Sequence, residues 1–328
     1  MKVLVSGAHG FLGSHISEHL LAEGHQVRGL VTPWGEVGNL AGVLDGGGLE
    51  LRRADLSHEG DLVGLCDGID VVVHAAARVA DWGPWDAFYR TNVVGTQRLL
   101  DEARHAGVRR FLFISSVAVH RYRGFRNADP RTLPRDNLRD AYAHSKIMAE
   151  DLLLEADGIE PVIVRPGLWP FGPRDPNFRR VARALEQGLL PLVGRGDRVI
   201  NTAYAENLAL GVRLAMEHPQ AAGRTYVIAD EGMPSWRDVL GELARLLGER
   251  PPRLRLPGTP TRALASGVEA TWGALFPRNE PPMTRYRASL MTHDVHFSIR
   301  HAVDELGYHP LVSWREGLRR TVDALAPA

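Results

Sequence analysis

The stretch Lys2-Val3-Leu4-Val5-Ser6-Gly7-Ala8-His9-Gly10-Phe11-Leu12-Gly13 reads as an apolar strand, a glycine turn and the first turn of a helix. Gly7 permits a tight turn, Gly10 lets backbone approach a pyrophosphate, and Gly13 lets the helix close on the sheet. A helix that starts there presents free N–H groups and the positive end of its dipole. Gly7, His9, Gly10, Phe11, Leu12 and Gly13 are therefore candidate contacts for a dinucleotide. Glycines three apart say little alone. Directly after a first strand, they say much more.

Working outward, apolar runs alternate with helical patterns. Helical periodicity covers 11–23, with Leu12, Ile16 and Leu20 on one face. Strands are expected at 26–31, 49–53, 71–73, 110–115 and 161–164. One long helix is expected over 85–106, stopped by Gly107, and another over 140–155. Strands joined by helical crossovers pair in parallel with helices on both faces, an α/β doubly wound sheet. After Arg165 the rhythm breaks in RPGLWPFGPRDP, and ERPPRLRLPGTP at 249–260 reads as a connector. The expected division is a nucleotide-binding domain over 1–165 and a smaller mixed lobe over 166–328. The lobe is discontinuous and its boundary approximate.

The 328 residues include 39 Lys plus Arg against 39 Asp plus Glu, so the formal net charge is zero. That balance argues against nucleic acid or an anionic membrane surface as partner. A single cysteine, Cys66, excludes a disulfide framework and a Cys-built zinc site. No apolar run is long enough to span a bilayer, and the N-terminus lacks the long apolar stretch of a signal peptide. A cytoplasmic protein acting on a small molecule is expected, with no metal.

The tips of the second and third strands should meet the adenosine end of a dinucleotide. Strand two ends at Thr32-Pro33 without an acidic residue. A carboxylate there would bind a ribose diol and repel a 2′-phosphate. Its absence leans NAD(P) binding towards NADP, although no Arg occupies that same tip. Asp55 is a candidate acceptor for the adenine amino group, or a turn cap. His74-Ala75-Ala76-Ala77 offers small side chains beside a cofactor, or simply close packing.

Ser116 ends the fifth strand, and Tyr142-Ala-His-Ser-Lys146 lies on the helix that follows. Positions i and i+4 share a helical face. An ammonium beside a phenol favours the phenolate, so Lys146 is expected to draw Tyr142 towards the working pH as a general acid or base. Ser116 is expected to hold the reacting oxygen.

Together these elements resemble the short-chain dehydrogenase/reductase superfamily in its extended form. The matching motifs are GAHGFLG at 7–13, Asp55-Leu56, HAAA at 74–77, TNVVGT at 91–96, ISS at 114–116, YAHSK at 142–146, RPG at 165–167 and ELGYHP at 305–310. The resemblance implies a Rossmann-type fold, with Tyr142 as the acid–base residue, Lys146 as its activator and ribose contact, and Ser116 as the oxygen-binding serine. It also implies cofactor contacts from Thr32, Asp55, Leu56, His74, Ala75, Ala76, Asn92, Ser115, Pro166 and Gly167. A homodimer through the helices over 85–106 and 140–155 is implied as well.

Two branches compete. Nucleotide-sugar epimerases and dehydratases usually carry an Arg that grips the diphosphate, and Ile200 stands in its place here. Tyr204-Ala-Glu-Asn207, Pro282-Met-Thr-Arg-Tyr286 and His296-Phe297 are similar to the 3β-hydroxysteroid dehydrogenase branch. His120 departs from both, where a Tyr is usual. Trp82, Trp169 and Phe171 are candidate substrate contacts, with Trp85 and Phe178 nearby, although for any single one packing of the lid against the core is the better reading. Arg179, Arg180 and Arg183 read as a solvated face. His15 and His19, four apart, are taken as structural, and a catalytic role for His144 is not expected.

The expected activity is NAD(P)-dependent interconversion of a secondary alcohol and a ketone on a largely apolar, steroid-like, polyketide or long-chain substrate. The alternatives are an NAD-retaining sugar or nucleotide-sugar epimerase or dehydratase, and a non-catalytic dinucleotide-sensing protein.

Overall fold

Alternate residues of the first strand, β1 (Lys2–Ser6), bury on opposite faces of one sheet, with Val3 and Val5 in one apolar cluster and Leu4 in another. That two-sided burial is what a parallel sheet with helices on both faces requires. The computed structural model describes residues 1–44, 46–276, 281 and 284–325.

In chain order, β1 leads to α1 (Phe11–Ala22), β2 (Gln26–Val31), β3 (Leu49–Arg53) and β4 (Val71–His74). Then come α2 (Trp85–Phe88), a π turn (Tyr89–Val94), α3 (Gly95–His105), β5 (Arg110–Ile114), β6 (Phe125–Ala128), α4 (Ala141–Leu154) and β7 (Glu160–Pro166). The second half holds β8 (Trp169–Phe171), α5 (Pro176–Glu186), β9 (Leu192–Val193), β10 (Thr202–Tyr204), α6 (Ala205–Glu217) and β11 (Arg224–Ile228). It closes with α7 (Trp236–Leu246), β12 (Arg255–Leu256), α8 (Gly258–Leu275), α9 (Arg285–Thr292), β13 (Val295–Phe297), α10 (Arg300–Leu306) and α11 (Trp314–Asp323).

The main sheet is parallel throughout, in the order β11-β7-β5-β4-β1-β2-β3. The order reverses between β1 and β4, so a crevice opens there at the carboxyl ends of the strands. One core joins α1 and α6 to the sheet through Ile16, Leu20, Leu208 and Val212. On the opposite face, Leu99, Ala103, Ala149 and Leu153 of α3 and α4 pack on Phe111, Phe113 and Ile163. A third cluster, including Phe171, Phe178, Ile200, Trp236, Leu240 and Phe297, fills the lobe.

Two features depart from the sequence pattern. β11 comes from beyond residue 165 yet completes the main sheet beside β7. A single cut at 165 therefore does not separate sheet from lobe. The helix expected over 85–106 is widened by the π turn, which carries Asn92. Such turns are frequent at functional sites. No described helix is long and apolar enough to cross a membrane.

Candidate active site

The glycine turn is fixed by close approaches. Gly7 has φ +68, where only glycine is relaxed, and a Cβ on it would come 2.8 Å from the Ala76 Cα. A Cβ on Gly13 would fall 2.1 Å from the Gly7 carbonyl oxygen. The start of α1 has no side-chain cap and no acidic residue in its first turn. Its N–H groups are therefore suited to a pyrophosphate, and the bare glycine turn leaves backbone free to approach one.

At the adenosine end the structure corrects the sequence expectation. An Arg does reach the tip of β2, supplied by the end of β3. Parallel register sets Arg53 beside Val31, and its Nη1 donates to the carbonyls of Thr32, Pro33 and Gly35 at 3.2, 3.0 and 3.0 Å. His9 lies alongside. Burial and the Arg53 charge hold its imidazole below the usual range, and its Nδ1 is buried without a partner among the described residues. Asp55 has its carboxylate engaged locally, accepting from the Ser57 N–H at 2.9 Å and lying 3.3 Å from His58 Nδ1. That is the turn-cap alternative. Leu56 packs in the α3–α4 core against Gly95.

Three more residues expected at the cofactor have their side-chain polar atoms engaged by protein partners. His74 is fully buried, with Nδ1 2.6 Å from Ser6 Oγ and Nε2 2.9 Å from Thr96 Oγ1. Ser6 Oγ also accepts from the Ala76 N–H, and Thr96 Oγ1 donates to the Asn92 carbonyl. That pattern is satisfied by a neutral ring protonated on Nε2. Burial and the Lys146 charge push its pKa down to about 3. Asn92 accepts from the Arg78 N–H at 2.7 Å and donates to the Arg78 carbonyl and to Ser145 Oγ at 2.9 Å. It ties the loop after β4 to α4. Ser115 donates to Glu150 Oε1 at 2.5 Å. Ala75 and Ala76 stay half-buried at the crevice, while Pro166 and Gly167 are buried where β7 meets β10, with Ala229 and Asn201 pressing on Gly167.

Asp140 caps α4 by accepting from the Ala143 N–H at 2.7 Å. The cap sets the helix so that Tyr142 faces Ser116. Burial pushes the Tyr142 phenol up to about 12, with a Ser116 hydrogen bond working against it. The phenol is thus less acidic than a free tyrosine, contrary to the sequence expectation. The reason is desolvation, and the amine is engaged elsewhere. Lys146 Nζ donates to the Ile114 carbonyl at 2.8 Å and lies 4.4 Å from the Phe113 ring centre. Burial draws the lysine down to about 7, opposed by Glu150 one turn on.

Glu150 was not legible as a functional residue. It is wholly buried, and Arg165 meets both its oxygens at 2.8 and 2.6 Å. Arg135 adds a contact at 3.2 Å. Against the cost of burial, these cations and Ser115 hold its carboxyl below the usual range. His120 belongs to the same network, with Nε2 3.0 Å from Arg165 and Nδ1 2.9 Å from the Pro134 carbonyl.

The aromatic residues divide. Phe171 and Phe178 are fully buried, so Phe171 is a core residue and not a pocket wall. Trp169 is half-buried and stacks on Phe171 at 5.4 Å. The Trp82 indole N–H is buried without an acceptor among the described residues. His15 bonds the Pro173 carbonyl and Arg174, and His19 accepts from Arg213. His144 stacks on Trp85 at 4.8 Å. The Tyr204–Asn207 motif secures the C-terminal segment, Asn207 bonding Asp230, Leu311 and Val312. Pro282 and Met283 lie outside the described residues.

Lys146 gives a test with a definite sign. Below about pH 7 the amine is protonated in both folded and unfolded chains. Between about 7 and the ordinary 10.5 the unfolded chain keeps the proton that the folded chain has released, so stability rises with pH. The melting midpoint of the cofactor-free protein, relative to Lys146→Met, should climb across that interval. A flat difference contradicts the burial argument.

The chain is similar to known proteins along nearly its whole length. Residues 3–229 match the model of the NAD dependent epimerase/dehydratase family. The chain is 32% identical over 334 residues to a 2-alkyl-3-oxoalkanoate reductase of Stenotrophomonas maltophilia, covering 98% of each. It is 30% identical over 339 residues to a 3 beta-hydroxysteroid dehydrogenase/Delta 5-->4-isomerase of Mycobacterium tuberculosis, covering 97% of this chain and 88% of that one. A UDP-glucuronic acid 4-epimerase from Bacillus cereus, solved in complex with NAD, superposes with a TM-score of 0.78 at 25% identity, over 99% of this chain and 98% of that one. The chain belongs to the NAD-dependent epimerase/dehydratase family and is an NAD(P)-dependent enzyme of the extended short-chain dehydrogenase/reductase type.

Proposed function

We propose that the protein reduces a ketone to a secondary alcohol, reversibly, on a largely apolar substrate, with Tyr142 as proton donor. The observation that carries this reading is the meeting of Tyr142 with Ser116, one helix turn from the buried Lys146 amine. A phenol held at about 12 beside Ser116 keeps its proton at neutral pH, as a general acid must. When bound, the nicotinamide dinucleotide supplies the hydride. Ser116 donates to the carbonyl oxygen, Tyr142 delivers the proton to that oxygen, and Asp140 holds the helix end that aims the phenol. Lys146 is the residue we assign to the cofactor ribose. Glu150 keeps a negative charge behind Lys146, which favours its protonated form.

An apolar substrate is favoured over a nucleotide sugar by the sequence at Ile200, an apolar residue where nucleotide-sugar epimerases usually carry the Arg that grips a diphosphate. The named activities of the two curated relatives, on an oxoalkanoate and a hydroxysteroid, point the same way. Trp82 and Trp169 remain the aromatic candidates for the substrate walls. We also propose a homodimer through α2, α3 and α4, where Trp85, Tyr89 and Leu154 are exposed.

NADP(H) is the coenzyme we assign, because Arg53 brings a cation to the acid-free tip of β2 beside Thr32 and His9. Replacing Tyr142 with Phe should lower turnover at least about a hundredfold while leaving coenzyme affinity within about twofold. Ketones and alcohols assayed with both nicotinamides, by the absorbance of the reduced ring, test this. Full turnover by the variant would overturn the proton-donor assignment. Arg53→Ala should weaken NADPH binding by about ten- to a hundredfold, the worth of charge-assisted hydrogen bonds, and NADH binding far less. Equal losses for both coenzymes would remove the basis for the NADP assignment.

A further inference from the structure

Four arginines line one cavity of about 260 Å³ at the β11 edge of the sheet, whereas the coenzyme crevice opens between β1 and β4. Arg131 and Arg135 come from the segment before α4, Arg165 from β7 and Arg224 from β11. No acidic residue lines this cavity among the described residues. Arg165 is 4% exposed, so part of the positive charge lies where salt and water screen it poorly.

The acids that hold these cations are fewer than the cations. Arg131 forks onto both oxygens of Glu305 at 2.6 and 2.9 Å. Arg135 meets Glu150 at 3.2 Å and Asp151 at 2.7 Å, and Arg165 shares the same Glu150 at 2.6 Å. The excess falls on Arg224, which is exposed and has no ion pair among the described residues. The Nε–H groups of Arg131 and Arg135 are also without a hydrogen-bond partner among the described residues. A second cavity of about 460 Å³ shares Arg224, so a group fixed there has room to extend. Glu305 lines that second cavity, but its oxygens are taken by Arg131 and Tyr226. A ligand carboxylate would compete on equal terms with the tethered Glu150 and Glu305, and would gain little. A phosphate group carries a charge of about −1.5 to −2 and three acceptor oxygens, enough to serve Arg224 and the spare N–H donors without displacing either acid.

We propose that this cavity binds the phosphate group of a small molecule, with Arg224 as its main contact and Arg131 and Arg135 beside it. The site is separate from the coenzyme crevice and stands independently of the ketone-reductase reading.

The test is calorimetric titration of the full chain at low ionic strength, with the crevice first saturated by its nicotinamide dinucleotide so that the glycine cradle is blocked. The probes are inorganic pyrophosphate, ADP and the dicarboxylate glutarate. Pyrophosphate or ADP should bind at least about tenfold more tightly than glutarate, and added salt should weaken the binding. Tighter binding of ADP supports the site with an organic phosphate as its ligand, and tighter binding of pyrophosphate supports it with a free one. Arg224→Ala should weaken the better probe by about tenfold or more, and Arg224→Glu should abolish its binding. Arg53→Ala, at the adenosine end of the crevice, should leave it within about twofold. Leu154 lines the cavity and also belongs to the dimer face proposed above, so the titration uses the protein in its own solution assembly. A cavity closed by a second copy would register no binding, and that result overturns the site. Equal affinity for glutarate overturns the phosphate assignment. Binding indifferent to both Arg224 substitutions, or lost in Arg53→Ala, overturns the location.

Discussion

Lys146 places a basic group where no solvent reaches it, and much of the site follows from accommodating that. A buried amine is stable only with acceptors and counter-charge around it. The Ile114 carbonyl gives the acceptor, the Phe113 face a favourable surface, and Glu150 the counter-charge. Glu150 in turn requires Arg165, Arg135 and Ser115, which tie β5, β7 and α4 into one block. Ser116 and Tyr142 sit on that block, so their mutual geometry is set by a polar network behind them.

The same block sets how tightly the phenol and the amine hold their protons. Desolvation raises the phenol and lowers the amine. Without coenzyme, Tyr142 keeps its proton, the state that the proposed reduction requires. An amine near neutrality can then respond to the charge of whatever binds in the crevice, because a modest field moves its protonation.

Local patterns made most of the sheet readable. β2 and β3 fall on the residues that their apolar runs indicate, and the glycine turn is where its spacing puts it. Tyr142 and Lys146 were legible because one helix turn relates them. What escaped the sequence was set by register and by distant contacts. Arg53 serves the tip of β2 only because parallel pairing sets it beside Val31. Glu150 and His120 matter through Arg165, 15 and 45 residues away along the chain. β11 joins the sheet after a long excursion through the lobe, so no local signal marks it as the seventh strand. Phe171 resembled a pocket wall by composition, and burial in the lobe core removed it. Asn92 and Ser115 turned out to position other groups, since their polar atoms already have protein partners.

Ionisation of the Tyr142 phenol tests the central claim most directly. It can be followed by the phenolate absorbance of the coenzyme-free protein minus that of Tyr142→Phe. The account predicts no Tyr142 phenolate as pH is raised through 10, the ordinary tyrosine value, with ionisation deferred towards about 12. A phenolate band with its midpoint below 10 would contradict it, and would return to Lys146 the role of acidifying its neighbour.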